Sequence, residues 1–100
     1  MVAPNEDSAT GKSADPRSAA QSGAVMIRYW AGAEAAAGCA SERASAGVVA
    51  EVLDQAYQRH PALAPVLRMA SILVDGVRAE PGEMVPAGAT IEVLPPFAGG

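Results

Sequence analysis

One hundred residues leave room for a single domain, and a net charge of −4 with a pI near 4.8 argues against nucleic acid or an anionic membrane as the main partner, because both need a basic patch that releases counterions. Half of the residues are apolar but 23 are alanine, so the larger side chains form only a small core and help from a partner surface is expected. Cys39 is the single cysteine, which excludes an internal disulfide and a cysteine-rich zinc site and suits a reducing, cytoplasmic setting; no metal site is expected.

Residues 1–24 are rich in Ser, Ala, Asp, Gly and Pro and hold no large apolar side chain after Val2, so nothing there offsets ordering entropy. A disordered extension is predicted, without the continuous apolar stretch of a secretion signal, and no run in the chain approaches the ~20 residues of a membrane span. Val25 to Trp30 is dense in β-branched and aromatic types and reads as the first strand, with Val25, Ile27 and Tyr29 on one face and Met26, Arg28 and Trp30 on the other. Ala31 to Gly38 is a small-residue connection with a helical turn near Glu34 to Ala37, and Cys39 to Ala44 suits the second strand of a hairpin.

From Val48 to Arg59 the period becomes helical. Val48, Val49, Val52, Leu53, Ala56 and Tyr57 share one stripe, Ser45 is the nearest capping side chain, and Arg59 before Pro61 is a stop signal. Ala62 to Arg68 suggests another helical turn. Ser71 to Val74 is a strand, Asp75-Gly76 a tight turn, and Val77 to Ala79 a short returning strand. Turns at Pro81-Gly82-Glu83 and Pro86-Ala87-Gly88 flank Met84 and Val85. The last strand, Thr90 to Leu94, faces inward with Ile91 and Val93 and outward with Glu92 and Leu94. The order predicts an α+β fold of β-grasp, ubiquitin-like type: a mixed four- to five-stranded sheet with one main helix across one face. The expected division is an extension over 1–24, a β-grasp domain over 25–94 and a flexible Gly-Gly tail over 95–100.

No Gly-rich phosphate loop, paired cysteine or Ser/His/Asp set is present. Cys39 reads as a small hydrophobe, His60 as a cation at a helix C-terminus with no carboxylate or thiol at a recognisable spacing, and Asp75 as turn chemistry. What remains is a surface and an end. Trp30 and Leu94 point away from the helix-covered face and look like a docking patch, the alternative being that Trp30 folds over the edge into the core. Beyond Leu94, Pro95 and Pro96 cannot continue a ladder, and Gly99-Gly100 is slim enough to thread into a narrow catalytic cleft.

Arg28-Tyr29-Trp30-Ala31, Arg59-His60-Pro61, Val74-Asp75-Gly76 and above all Leu94-Pro95-Pro96-Phe97-Ala98-Gly99-Gly100 resemble the MoaD/ThiS family of ubiquitin-like sulfur carriers, its MoaD branch most of all. That branch supplies the small subunits of molybdopterin synthase. The resemblance implies no permanently bound cofactor. A MoeB-like activating enzyme uses ATP to adenylate Gly100, with Gly99 before it, and a sulfur donor system converts it to a thiocarboxylate. Gly100 then delivers sulfur within a MoaE-like large subunit to the cyclic pyranopterin precursor of the molybdenum cofactor. The chain is thus expected to be the carrier subunit of a sulfurtransferase whose catalytic side chains lie on the large subunit. Trp30 and Leu94 match the family's partner patch, followed by Pro95, Pro96, Phe97 and Ala98. Arg78 matches a third patch position that is often apolar. Val48 stands where a threonine commonly opens the helix, Gly88-Ala89 replaces Gly-Asp, and the N-terminal extension is atypical. Alternatives are a carrier for thiamine thiazole or cysteine biosynthesis and, in another class, a ubiquitin-like conjugation or interaction module.

Overall fold

The computed structural model of the chain describes residues 23–96, so the extension up to residue 22 and the tail residues Phe97, Ala98, Gly99 and Gly100 lie outside the described residues. Strand β1 (Ala24–Tyr29) buries Val25, Ile27 and Tyr29 and exposes Arg28, as the alternation of residue types dictates. Helix α1 (Gly32–Ala37) follows. It ends at Gly38, which adopts the left-handed conformation at φ 78° and returns its N–H to the Glu34 carbonyl. Strand β2 (Ser41–Ser45) then pairs antiparallel with β1, Arg28 opposite Ser41 and Ala24 opposite Ser45.

Two residues, Gly47–Val48, form β3 before helix α2 (Val49–Arg59). The helix lays Val49, Val52 and Ala56 on the sheet, while Tyr57 sits at the margin of the predicted stripe and is 41% exposed. Ser45 does not cap it. Its backbone is clamped by the Gln55 side chain, which accepts from the Ser45 N–H at 2.8 Å and donates to its carbonyl at 2.9 Å. The helix entrance is closed differently. The N–H groups of Val49 and Ala50 donate to the carbonyls of Glu83 and Pro81, and Glu51 reaches back to accept from the Val48 N–H at 3.1 Å. Strand β6 (Met84–Val85), paired with β3, holds that loop in place.

Val48 at the N-cap is extended, at φ −76° and ψ 160°, but has no acceptor, so only the Glu51 half of a capping box is made. Val48→Thr, nearly isosteric, would supply the missing oxygen. The expected result is a gain of about 0.5–1 kcal/mol, read as a higher urea midpoint at unchanged slope.

A 3₁₀ turn at Pro61–Leu63 leads into helix α3 (Ala64–Met69), and Leu63 is fully buried. Strands β4 (Ser71–Val74) and β5 (Val77–Arg78) join through Asp75 and Gly76, both at positive φ, 49° and 83°. Consecutive left-handed residues make the twisted two-residue hairpin, and asparagine, aspartate and glycine tolerate that region best. Asp75 also anchors strand β7 (Thr90–Leu94): its N–H donates to the Thr90 carbonyl at 2.8 Å, and its Oδ1 accepts from the Thr90 N–H at 2.9 Å.

The main sheet runs β2-β1-β7-β4-β5. Strands β1 and β7 are parallel at its centre and every other neighbouring pair is antiparallel. One core lies between the sheet and the helices, built from Val25, Ile27, Tyr29, Ile91 and Val93 below and Val49, Val52, Ala56 and Leu63 above. Met26, on the opposite face with Arg28 and Trp30, is nevertheless 8% exposed and packs with Ala24 as a separate small cluster.

Candidate docking face and a polar cluster

Parallel pairing places Arg28 opposite Glu92 and Tyr29 opposite Val93, and the Trp30 N–H continues the ladder by donating to the Val93 carbonyl at 3.2 Å. Trp30 and Leu94 therefore end the two central strands side by side, on the face away from the helices. Trp30 does not fold into the core. It is 36% exposed, its Nε1–H donates to Glu92 Oε2 at 3.3 Å, and the Arg28 guanidinium lies 4.3 Å from its ring centroid. Ala31 turns the chain away at once, in a glycine-type conformation of φ 48° and ψ −122°.

The same face extends across β4 and β5. Leu73 pairs with Glu92 on one side and Arg78 on the other, and Ser71 pairs with Leu94. Ile72 and Val74 turn instead toward the core, so Leu73 belongs with the outward set. The three residues chosen from the sequence, Trp30, Leu94 and Arg78, thus share one side of the sheet, Arg78 exposed in the edge strand and Leu94 half-buried beside Trp30. Sequence reasoning missed Leu73 and the Arg28–Trp30–Glu92 stack. The alternation in Ser71 to Val74 would have marked Leu73 once the order of the strands was known. At the end of β7, Pro95 is half-buried and Pro96 exposed; Phe97, Ala98, Gly99 and Gly100 follow outside the described residues.

A second constellation lies under the C-terminal end of α2. Glu42 on β2 accepts a 2.5 Å hydrogen bond from the Tyr29 hydroxyl, faces His60 Nε2 at 2.8 Å, and pairs with Arg59 at 3.3 Å. The His60 ring meets the Tyr29 ring edge-on, with centroids 6.3 Å apart. Burial first, and then the Glu42 carboxylate, push the Tyr29 hydroxyl far above its ordinary range, so it stays a proton donor. Burial and Glu42 likewise raise the Cys39 thiol. Spacing alone offers His60 no carboxylate or thiol partner; the fold corrects that, bringing Cys39, Glu42 and His60 together. The only local signal was the Cys39-x-x-Glu42 spacing, and the histidine arrives 18 residues later through the helix.

A shallow concavity of about 220 Å³ between α2, α3 and the β4–β5 edge is lined mainly by Val49, Leu53, Leu67 and Ile72. It lies away from the Glu42 cluster and touches the docking face through Arg78. No helix of the described residues is long and apolar enough to cross a membrane.

A mixed sheet with its first and last strands parallel at the centre, crossed by one main helix, is the β-grasp fold of ubiquitin-like proteins. The ThiS family model matches residues 27–100, and the chain belongs to the ThiS family of ubiquitin-like sulfur carriers. Among solved structures it is similar to SAMP1 from Haloferax volcanii, at 27% identity and a TM-score of 0.70 over 78% of this chain and 100% of that one. It is also similar to a putative molybdopterin converting factor, subunit 1, from Pyrococcus furiosus, at 20% identity and a TM-score of 0.67 over 74% of this chain and 98% of that one. A third likeness is to a chain in the complex of subunits 1 and 2 of the molybdopterin-converting factor from Helicobacter pylori 26695, at 19% identity and a TM-score of 0.59, covering 77% and 99%. The latter two likenesses concern the fold alone. No curated protein matches the sequence.

Proposed function

We propose that the protein is the sulfur-carrier small subunit of a cytoplasmic molybdopterin synthase, reacting through Gly100. The observation that carries this reading is the outward face at the end of β1 and β7, where a pinned Trp30 adjoins Leu94 and the Pro95-Pro96 exit of a chain matched to its family through Gly100. The chemistry follows from what a carboxylate lacks. Its oxygen is a poor leaving group, so an activating enzyme first transfers AMP from ATP to the Gly100 carboxylate, releasing pyrophosphate. A sulfur nucleophile then displaces AMP to leave a thiocarboxylate. On a large subunit docked at the Trp30 face the thiocarboxylate sulfur bonds to a carbon of a pterin precursor, and water then cleaves the Gly100 carbonyl–sulfur bond, leaving the sulfur on the precursor and regenerating the carboxylate.

Incubation with a cognate activating enzyme, ATP and a sulfur donor tests this directly: intact mass should rise by the exchange of one oxygen for one sulfur. An unchanged mass, with cofactor synthesis in cells independent of the protein, refutes it. The face makes a separate prediction. Trp30→Ala or Leu94→Arg should weaken binding to the large subunit by about 2 kcal/mol, roughly thirty-fold, with the fold retained by circular dichroism. Titration calorimetry giving an unchanged affinity would remove the face from the interface.

A second reading is a protein modifier, favoured by the likeness to SAMP1. The same adenylate would then be attacked by a lysine amine to give an isopeptide. The chain's single lysine is Lys12, outside the β-grasp domain, which leaves that domain without an acceptor for linkage to its own copies. Mass analysis of cellular conjugates separates the two readings.

A further inference from the structure

We propose that Cys39, Glu42 and His60 form a binding site for a zinc-class divalent ion, with Cys39 Sγ, Glu42 Oε2 and His60 Nε2 as its three protein ligands. The three donor atoms lie within 4.8 Å of one another, and all three residues are partly buried. They come from three separate places: the connection after α1, strand β2 and the end of α2. No local sequence motif brings them together; the fold does.

The donor set fits the ion. Thiolate, carboxylate and imidazole are the three side-chain types zinc takes, and a thiolate with a carboxylate balances its two charges. Zinc bonds of about 2.0 to 2.3 Å place tetrahedral donors roughly 3.3 to 3.7 Å apart. His60 Nε2 and Glu42 Oε2, now at 2.8 Å, would part by about half an ångström, and the sulfur would close in by about 1.5 Å at most. Rotation of half-buried side chains on a fixed backbone covers both adjustments. The carboxylate is already aimed: Arg59 holds Oε1 at 3.3 Å, and the Tyr29 hydroxyl donates to Oε2. Ligating carboxylates are held by such outer hydrogen bonds, and losing them lowers metal affinity. Three protein ligands leave a fourth position for water or an incoming donor atom. Bound there, the ion would tie the α1–β2 connection to the end of α2.

The test uses the full chain, free of any affinity tag and stripped with chelator, titrated with Co²⁺ and then displaced by Zn²⁺. The expected result is one equivalent of Co²⁺ with intense tetrahedral d–d absorption and a thiolate-to-cobalt charge-transfer band. Cys39→Ser should remove the charge-transfer band, His60→Ala should lower affinity by about ten-fold or more, and Tyr29→Phe should lower it by about ten-fold. Circular dichroism checks that each variant folds, and Glu42→Gln, which keeps the side-chain shape, serves in place of any variant that does not. Absence of the charge-transfer band in the wild-type chain overturns the proposal and leaves a hydrogen-bonded pair only. So does binding that survives Cys39→Ser unchanged. Neither readout involves the activating enzyme, so this site stands or falls apart from the carrier function.

Discussion

If Gly100 is the reactive end proposed above, its removal should abolish sulfur loading and leave the fold intact. The described core residues lie between Ala24 and Val93, so the deletion removes none of them. The urea midpoint should stay within about 0.5 kcal/mol of wild type, the range of substitutions away from packed features. Chemistry is another matter. With Ala98-Gly99 as the new end, the carboxylate would fall one residue short, about 3.5 Å by extended-chain geometry, of the catalytic centre of the proposed activating enzyme. A misplacement on the order of 1 Å already costs such reactions about a hundred-fold. The measurement is intact mass after incubation with enzyme, ATP and sulfur donor, beside a denaturation curve. A truncated protein that still gains sulfur would place the reactive group elsewhere.

Ile91→Ala has the opposite profile. Ile91 is fully buried, opposite Ile27 in β1 and Val74 in β4, so its truncation leaves a cavity in the centre of the sheet rather than at an edge. Such substitutions cost about 2–5 kcal/mol. A domain of the 74 residues from 23 to 96 has a stability on the order of 4–11 kcal/mol. The expected outcome is a large fall in urea midpoint at unchanged slope, with weakened large-subunit binding because β7 carries Leu94. Met69→Ala, at a side chain 66% exposed, should change stability by less than about 0.5 kcal/mol. Equal effects at the two positions would mean that Ile91 is not the core residue its burial indicates.

Much of this was legible in the chain. Period-two alternation in Val25, Ile27 and Tyr29, and again in Ile91 and Val93, gave both central strands and their inner face, because a side chain on a strand has only two directions to take. Asp75-Gly76 specified its hairpin because few other residues accept two successive positive φ angles. The failures share a cause. Strands β3 and β6 are two residues each and pair across 36 positions at Val48 with Met84 and 38 at Gly47 with Val85, so neither carries a period of its own. Once that ribbon exists, its loop carbonyls close the helix entrance, and Ser45 loses the capping role that proximity in sequence suggested. His60 shows no partner in the sequence for a similar reason, since Glu42 lies 18 residues away on another element. The docking face was half legible: parity put Trp30 and Leu94 on one side, but only the strand order adds Leu73 and aligns Arg28, Trp30 and Glu92.

The central place of β7 bears on how the protein is made. Strands β1 and β4 are not bonded to each other, and β7, the last strand among the described residues, bridges them. The two partial sheets, β1 with β2 and β4 with β5, therefore share no ladder until β7 inserts between them. Pairing at such sequence separation is slow relative to local hairpins, so assembly of the sheet is the late event. The tail has the same covalent structure before and after that event, whereas the surface of Trp30 beside Leu94 exists only afterwards. An enzyme that must grip this surface before handling the tail would distinguish finished molecules from nascent or damaged ones, and sulfur would be committed only to chains that have passed that inspection.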